Sequence, residues 1–367
     1  MIDENELIIR PAEDRDGIEA CRLLKKLGLQ LPDSEKAILA HWNRLWKENP
    51  YYNQFDEPIQ YGWVMEHEEK IVGFFGSIPR IYLWNSKPMA VSIASQWGVE
   101  KNYRAFTGLL CDRYFKNNSC SLKLVTTAIK PTGRIFERYG GKKVPDATLG
   151  SVYMVPISLF KLLGTKFKNP LLKSFLLFLD NWFPWKFQYK SIKKNNRIIP
   201  FQSDSPPEDL NLFFKEYHAR TKGLVAARTS EIIKWHGLSR DNSSRKEYFI
   251  YTENNQIKGY ASISSGSIPE NPDILRFKII DVIAESKAIK KSVLKELIRH
   301  SYRNSADIVE IHHPGFIDKK EIPLPIILRR KHPHFPLYYQ VSKAVFDEEL
   351  QDKVNWNISP FDGDTSL

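Results

Sequence analysis

The chain has 367 residues, 42% hydrophobic and 26% charged, with 54 Lys and Arg against 43 Asp and Glu and a formal charge of +11. This is an ordinary globular mixture too long for one typical domain, so two domains are expected, and the positive balance favours anionic partners such as phosphates, RNA or a lipid surface. Three cysteines, Cys21, Cys111 and Cys120, are odd in number and lack metal-ligand spacing, which argues against a disulfide framework or a zinc site and fits a reducing cytoplasm.

The opening MIDENELIIRPAEDRDG carries acids and no long apolar core, so neither a signal peptide nor a membrane span is expected there. Within it LIIRP reads as a short strand, and a helix follows from about Asp16. WVMEHEEKIVGFFGSI, from Trp63, alternates as two strands around a charged turn. SIASQWGV, from Ser92, is a further strand that runs into GVEKNYRAFTGLLCDRYF, residues 98–115, where a helix begins. Glycines in a phosphate loop let bare N–H groups approach the ligand at the positive end of a helix. Here Arg104, Thr107 and Gly108 keep part of that chemistry, while Ala105 and Leu109 stand where more glycine belongs. SLKLVTTA from Ser121 reads as a strand, and IKPTGRIFERYGGKKVP as a helix closed by glycine.

Residues 160–197 differ in composition: eight Lys and one Arg against Asp180 alone, interleaved with aromatics that include Trp182, Phe183 and Trp185. The apolar piece FLLFLDNWFPW is too short to span a bilayer, but aromatics flanked by lysines suit an anionic membrane surface. FQSDSPPEDL then signals the start of a helix over LNLFFKEYHART. FIYTENNQIKGYASIS, from Phe249, repeats the layout of the Trp63 hairpin at an offset of 186 residues, pairing Gly73 with Gly259. The same offset lays SIASQWGV on KIIDVIAE, putting Ser95 on Asp281, and SLKLVTTA on DIVEIHHP. Each half therefore reads helix, hairpin, strand, helix, strand, and the expected division is residues 1–158, a basic aromatic segment 159–205, and residues 206–367.

That order, together with VEKNYR from Val99 and IFERYGGKKV from Ile135, resembles the GNAT acyltransferase superfamily. The resemblance covers most of residues 6–156 and, more faintly, 208–345. It implies an α/β fold of two tandem GNAT-like domains with mixed sheets. It also implies acetyl-CoA or another acyl-CoA as cosubstrate with no tightly bound cofactor, and a pyrophosphate held by Val99, Arg104, Ala105, Phe106, Thr107 and Gly108. The duplicated arrangement looks like tandem GNAT-like proteins associated with bacterial surface polysaccharide synthesis. The implied activity is acyl-CoA-dependent N-acyl transfer to an amino sugar or glycan precursor, in the cytoplasm or peripherally at the membrane through residues 160–197.

The sequence departs from that family at its catalytic positions. SIASQWGV carries Ser95 and Gln96 where a glutamate is usual, and Phe136 stands where a tyrosine acid is usual, leaving Tyr139 three residues later. Asp281 is the carboxylate at the repeat-equivalent position, inside an otherwise apolar strand. A buried carboxylate there is either a base with raised pKa or a structural partner of an arginine. Asp281 and Tyr139 are thus the catalytic candidates. No metal is expected, since His312 and His313 face opposite sides of a strand. Two alternatives stay open: a Fem-type transferase using aminoacyl-tRNA, which the basic charge suits, and a binding protein on the same fold without catalysis. DNA is not expected as a partner.

Overall fold

In a computed structural model, the structure describes residues 2–52, 54, 59–145, 151–182, 187–238, 244–312, 317, 319–322, 327–331, 337–342 and 347–363. The alternation read from the sequence forms the first sheet. Its strands are β1 (Ile8–Pro11), β2 (Gly62–His67), β3 (Lys70–Trp84), β4 (Lys87–Val99), β5 (Leu122–Val125) and the short β6 (Lys142–Lys143). β1 to β4 pair antiparallel in sequence order, and β5 lies parallel to β4. The turn between β2 and β3 puts Glu68 and Glu69 at positive φ, and Asn254 and Asn255 do the same 186 residues on. Two consecutive residues at positive φ suit a tight hairpin whose twist matches its strands.

The second sheet contains β7 (Ser151–Pro156), β8 (Ile198–Phe201), β10 (Ser244–Glu253), β11 (Gln256–Ile268), β12 (Asn271–Ala284), β13 (Ile308–His312) and β14 (Leu328–Lys331). The β2–β3 and β10–β11 registers match at the 186-residue offset, and Gly76 facing Ser95 corresponds to Ser262 facing Asp281, but the pairs on either side of these differ by one residue because the two bulges lie at different places. A mixed α/β architecture of two similar sheets is therefore present, as expected.

The sheets exchange strands. β7, which follows the first half in sequence, lies between β13 and β14 in the second sheet. In return β15 (Tyr338–Val341) lies between β5 and β6 in the first. β9 (Leu224–Ala226) adds to the outer end of β3 and carries β16 (Trp356–Asn357). The first core consequently contains Leu224, Leu337, Tyr339, Leu350 and Trp356 beside Trp42, Trp46 and Phe74.

Helices cover the sheets where their apolar spacing dictates. α1 (Gly17–Lys26) and α2 (Glu35–Leu45) lie on one face of the first sheet. Ser34 caps α2 by accepting from the Ala37 N–H, and Ile38, Trp42 and Leu45, spaced four and three apart, are buried. On the other face, α3 (Thr107–Lys116) buries Leu110, Cys111, Tyr114 and Phe115, and α4 (Lys130–Arg138) buries Phe136. α5 (Leu159–Gly164) and α6 (Pro170–Trp182) form a hairpin, and α7 (Phe187–Lys190) follows. α8 (Leu210–Arg220), α9 (Ser230–Gly237) and α10 (Lys287–Arg303) serve the second sheet. Cys21, Cys111 and Cys120 are free and buried. Among the described residues no helix is long and apolar enough to cross a membrane, and no group of His, Cys, Asp or Glu is arranged to hold a metal.

Candidate functional site

β4 and β5 stay paired only from Val91 to Ile93, against Leu122 to Leu124. Beyond Ile93 they part, because β4 bulges at Gln96: Trp97 faces Phe75 while Ser95 faces Gly76, and Gln96 itself has φ +52. A bulge inserts one unpaired residue, increases the local twist and re-aims side chains. The parting opens a cleft of about 470 Å³. Ala94, Ser95, Gln96 and Trp97 form its β4 wall, and Val125, Thr127, Ile129 and Thr132 form the wall beyond β5. Leu29, Leu31, His41, Arg44 and Leu45 close it from the α1 and α2 side.

His41 and Arg44 are three residues apart on α2, hence neighbours on one helix face. His41 Nε2 lies 2.6 Å from the Gln96 side-chain amide nitrogen. Burial, aided by the Arg44 charge, pushes the His41 pKa down to about 4, so the ring is neutral near pH 7. Arg44 is buried, with Nη1 lacking any hydrogen-bond partner. Sequence reasoning missed both residues. The available signal was a histidine and an arginine three apart on a helix face otherwise carrying Ile38 and Leu45.

The expected pyrophosphate loop begins at the end of the same strand. Val99 is the last residue of β4, and Arg104, Ala105 and Phe106 belong to a 3-10 helix, Lys101–Phe106, that runs directly into Thr107 and Gly108 at the start of α3. Within it the N–H groups of Tyr103 and Thr107 are already donated to the carbonyls of Glu100 and Arg104. Arg104 is exposed, and a Cβ placed on Gly108 would meet nothing within 4 Å, so this helix end is open. Tyr139 stands behind it as the C-cap of α4: its hydroxyl bonds the Asp112 carboxylate and the Gly108 carbonyl, its ring stacks on Phe115, and burial raises its pKa. It does not line the cleft.

Asp281 lies elsewhere. It is 2% exposed on β12, where its carboxylate accepts from Arg228 Nε at 2.6 Å. Arg228 also reaches Asp362 at 3.1 Å, and burial raises the Asp362 pKa to about 6. Phe361 packs with Ile280 and Ile283, so the chain itself fills the flank of Asp281. Arg80 and Tyr82 of β3 bond the Phe361 and Asp362 carbonyls, which ties both sheets to the short turn Pro360–Asp362. His312 is buried and bonded to Glu310, and His313 lies outside the described residues.

His41, His218 and His312 are each pushed down to about 4, chiefly by burial, from an ordinary 6.5. The unfolded chain takes up their protons below pH 6.5 and the folded chain does not until about 4, so folding loses stability as pH falls through that window. Asp362 acts in the opposite sense between about 6 and 3.8, but it is one group against three. The melting temperature is therefore expected to drop as pH is lowered from 6.5 to 4; a flat or rising profile would contradict these burials.

No protein-family model matches the chain, and no curated protein matches it in sequence. Solved structures match its fold. A GCN5-related N-acetyltransferase from Anabaena variabilis aligns with TM-score 0.58 and 13% identity over 91% of this chain and 72% of that one. An Enterococcus faecalis protein of unknown function, described as a probable N-acyltransferase, gives 0.60 and 11% over 91% and 72%. Saccharomyces cerevisiae N-myristoyltransferase, solved with myristoyl-CoA and inhibitors, gives 0.54 and 12% over 92% and 80%. At such identities the likeness establishes a GNAT-like fold, and the activities remain those of the matched proteins.

Proposed function

We propose that the protein transfers an acyl group from acyl-CoA to an amine in the cleft between β4 and β5. The observation that carries this reading is the continuity of three features along one strand: the Gln96 bulge, the parting beside it, and the open start of α3 immediately after Val99. The pyrophosphate is assigned to Val99 and Arg104 through Gly108, where the α3 helix end and the Arg104 charge favour an anion. The thioester then lies along β4. The acceptor nitrogen attacks the thioester carbonyl, the C–N bond forms, the C–S bond breaks, and the thiolate leaves with the proton that the amine gives up. A main-chain N–H freed from the ladder by the bulge stabilises the oxyanion, and the amine proton passes to the departing thiolate. His41, whose Nε2 faces the Gln96 amide and whose pKa is held down to about 4, positions Gln96 rather than acting as base. Asp281 enters no step, because Arg228 and the Pro360–Asp362 turn surround it.

An amino sugar or glycan precursor is the acceptor class proposed from the resemblance in sequence. The test of the cosubstrate site is calorimetric titration of acetyl-CoA. Gly108→Glu puts a negative side chain into open space at the phosphate end, so the fold is expected to persist while affinity falls at least tenfold. Unchanged affinity in Gly108→Glu would remove the pyrophosphate from this position.

We also propose that the α5–α6 hairpin rests on an anionic membrane surface. Leu171, Phe175 and Phe178, spaced four and three apart on α6, are 80%, 56% and 56% exposed. Lys166, Lys168 and Lys173 are exposed beside them, while Asp180 is buried with its carboxylate accepting from the Phe160 N–H. Phe183 and Trp185 lie outside the described residues. Each lysine near such a surface contributes about 1 kcal/mol, and each buried apolar side chain about 1.5–3 kcal/mol. Co-sedimentation with phosphatidylserine vesicles at low salt is expected. Leu171→Glu with Phe175→Glu should reduce it more than tenfold without lowering the melting temperature. Binding that survives this double change would refute the surface assignment.

A further inference from the structure

We propose that Arg44 is the receptor for an anionic group, carboxylate or phosphate, carried by the acyl acceptor. Arg44 is 6% exposed, yet Nη1 has no hydrogen-bond partner, and among the described residues no carboxylate is in ion-pair contact with it. Glu48, four residues on and exposed, acts on it only through its charge, and burial lowers the Arg44 pKa. A buried guanidinium with an unsatisfied N–H group and no contacting carboxylate is a costly arrangement in a protein interior. It persists where a ligand supplies the missing charge. Among the described residues that line the cleft none is Asp or Glu.

The surroundings reinforce the sign. His41, on the same helix face, is neutral, and Arg44 helps to keep it so. Burial first, and then the charges of Arg44 and Arg80, depress the ammonium of Lys246, and Arg80 itself leaves Nε and Nη1 unpartnered. The buried acids of this region, Asp281 and Asp362, are committed to Arg228. On the facing wall Gln96 presents a buried Oε1 that accepts from nothing. One orphan cation and one orphan acceptor in the same cleft match a ligand with an anion and an N–H donor, that is, an amine bearing an acidic group. Amino acids carry that group as a carboxylate, and nucleotide-linked amino sugars carry it as phosphate.

The anion site stands on the cleft alone. Its assignment to the acceptor rests on the acyl-transfer reading, and the two are tested apart. Thermal unfolding is measured with acetate, sulfate and inorganic phosphate against chloride at fixed ionic strength, for the wild type, Arg44→Gln and Arg44→Lys. Without added anion, Arg44→Gln should melt several degrees above the wild type, because an unpaired buried charge is gone. At least one of the three anions should raise the wild-type melting temperature, act less on Arg44→Lys and not act on Arg44→Gln. Acetate or phosphate as the effective ion distinguishes the two acceptor classes. Equal anion responses in all three proteins, no response in the wild type, or an Arg44→Gln protein that melts lower would overturn the proposal. In parallel, acetyl-CoA affinity should be the same in wild type and Arg44→Gln. Affinity lost only in the variant would assign the cation to CoA and overturn the acceptor role. A wild type that binds the anion but no CoA would leave the anion site standing and defeat the acyl-CoA reading.

Discussion

Residues 1–158 expressed alone are expected to show no cooperative unfolding transition. They lack β15, which lies between β5 and β6, so β6 would have no partner and β5 would present an open edge. They also lack Tyr338 and Tyr339, which are buried, and Leu224, Leu350 and Trp356 of the first core. Deleting one large buried side chain costs about 3–5 kcal/mol. Several together exceed the total of about 5–15 kcal/mol that holds an ordinary domain. The fragment would moreover carry β7 with neither β13 nor β14 to pair with. Co-expression with residues 159–367 should restore a folded complex, read by calorimetry and circular dichroism. A native-like transition in the isolated fragment would mean that the exchange of strands is dispensable.

Arg228→Met should be the most damaging single substitution outside the cores. Arg228 and Asp281 are each 2% exposed, and Arg228 bonds Asp281 at 2.6 Å and Asp362 at 3.1 Å. Removing the cation leaves two buried carboxylates uncompensated, and breaking one such pair costs about 3–5 kcal/mol. The variant's loss should shrink as pH is lowered toward 5, because unpaired buried carboxylates bind protons more readily folded than unfolded. Adding Asp281→Asn and Asp362→Asn to Arg228→Met should recover much of the stability. Asp281→Asn alone separates structure from catalysis. A lower melting temperature with transfer activity retained is the expected result, while normal stability with lost turnover would make Asp281 a base.

The strands were legible because half-buried strands alternate with period two and their turns sit at matching places. Glu68–Glu69 and Asn254–Asn255 are the centres of equivalent turns, and from them the 186-residue register holds along both hairpins and meets again at Ser95 and Asp281. The exchange of β7 and β15 was not legible. SVYMVP and YYQV are not among the strands read from the sequence, and their choice of partner is made by contacts more than 150 residues away, such as Val155 with Val309 and Tyr339 with Leu124. At the site, the VEKNYR stretch placed the start of α3 correctly, while its 3-10 conformation depends on carbonyls of Glu100 and Arg104 that no spacing reveals. Arg44 and His41 were hidden for a similar reason. On α2 they read as ordinary polar residues, and only the parting of β4 from β5 turns that helix face into the wall of a cleft.

In the proposed acyl-transfer reading, the first sheet, and not the second, receives acyl-CoA where β4 leaves β5. Co-crystallisation with acetyl-CoA tests it most directly. The thioester is expected between Gln96 and Thr127, with the pyrophosphate against Arg104, Thr107 and Gly108. Cosubstrate seated beside Asp281 in the second sheet, or a first-sheet cleft left empty at saturating acetyl-CoA, would contradict it.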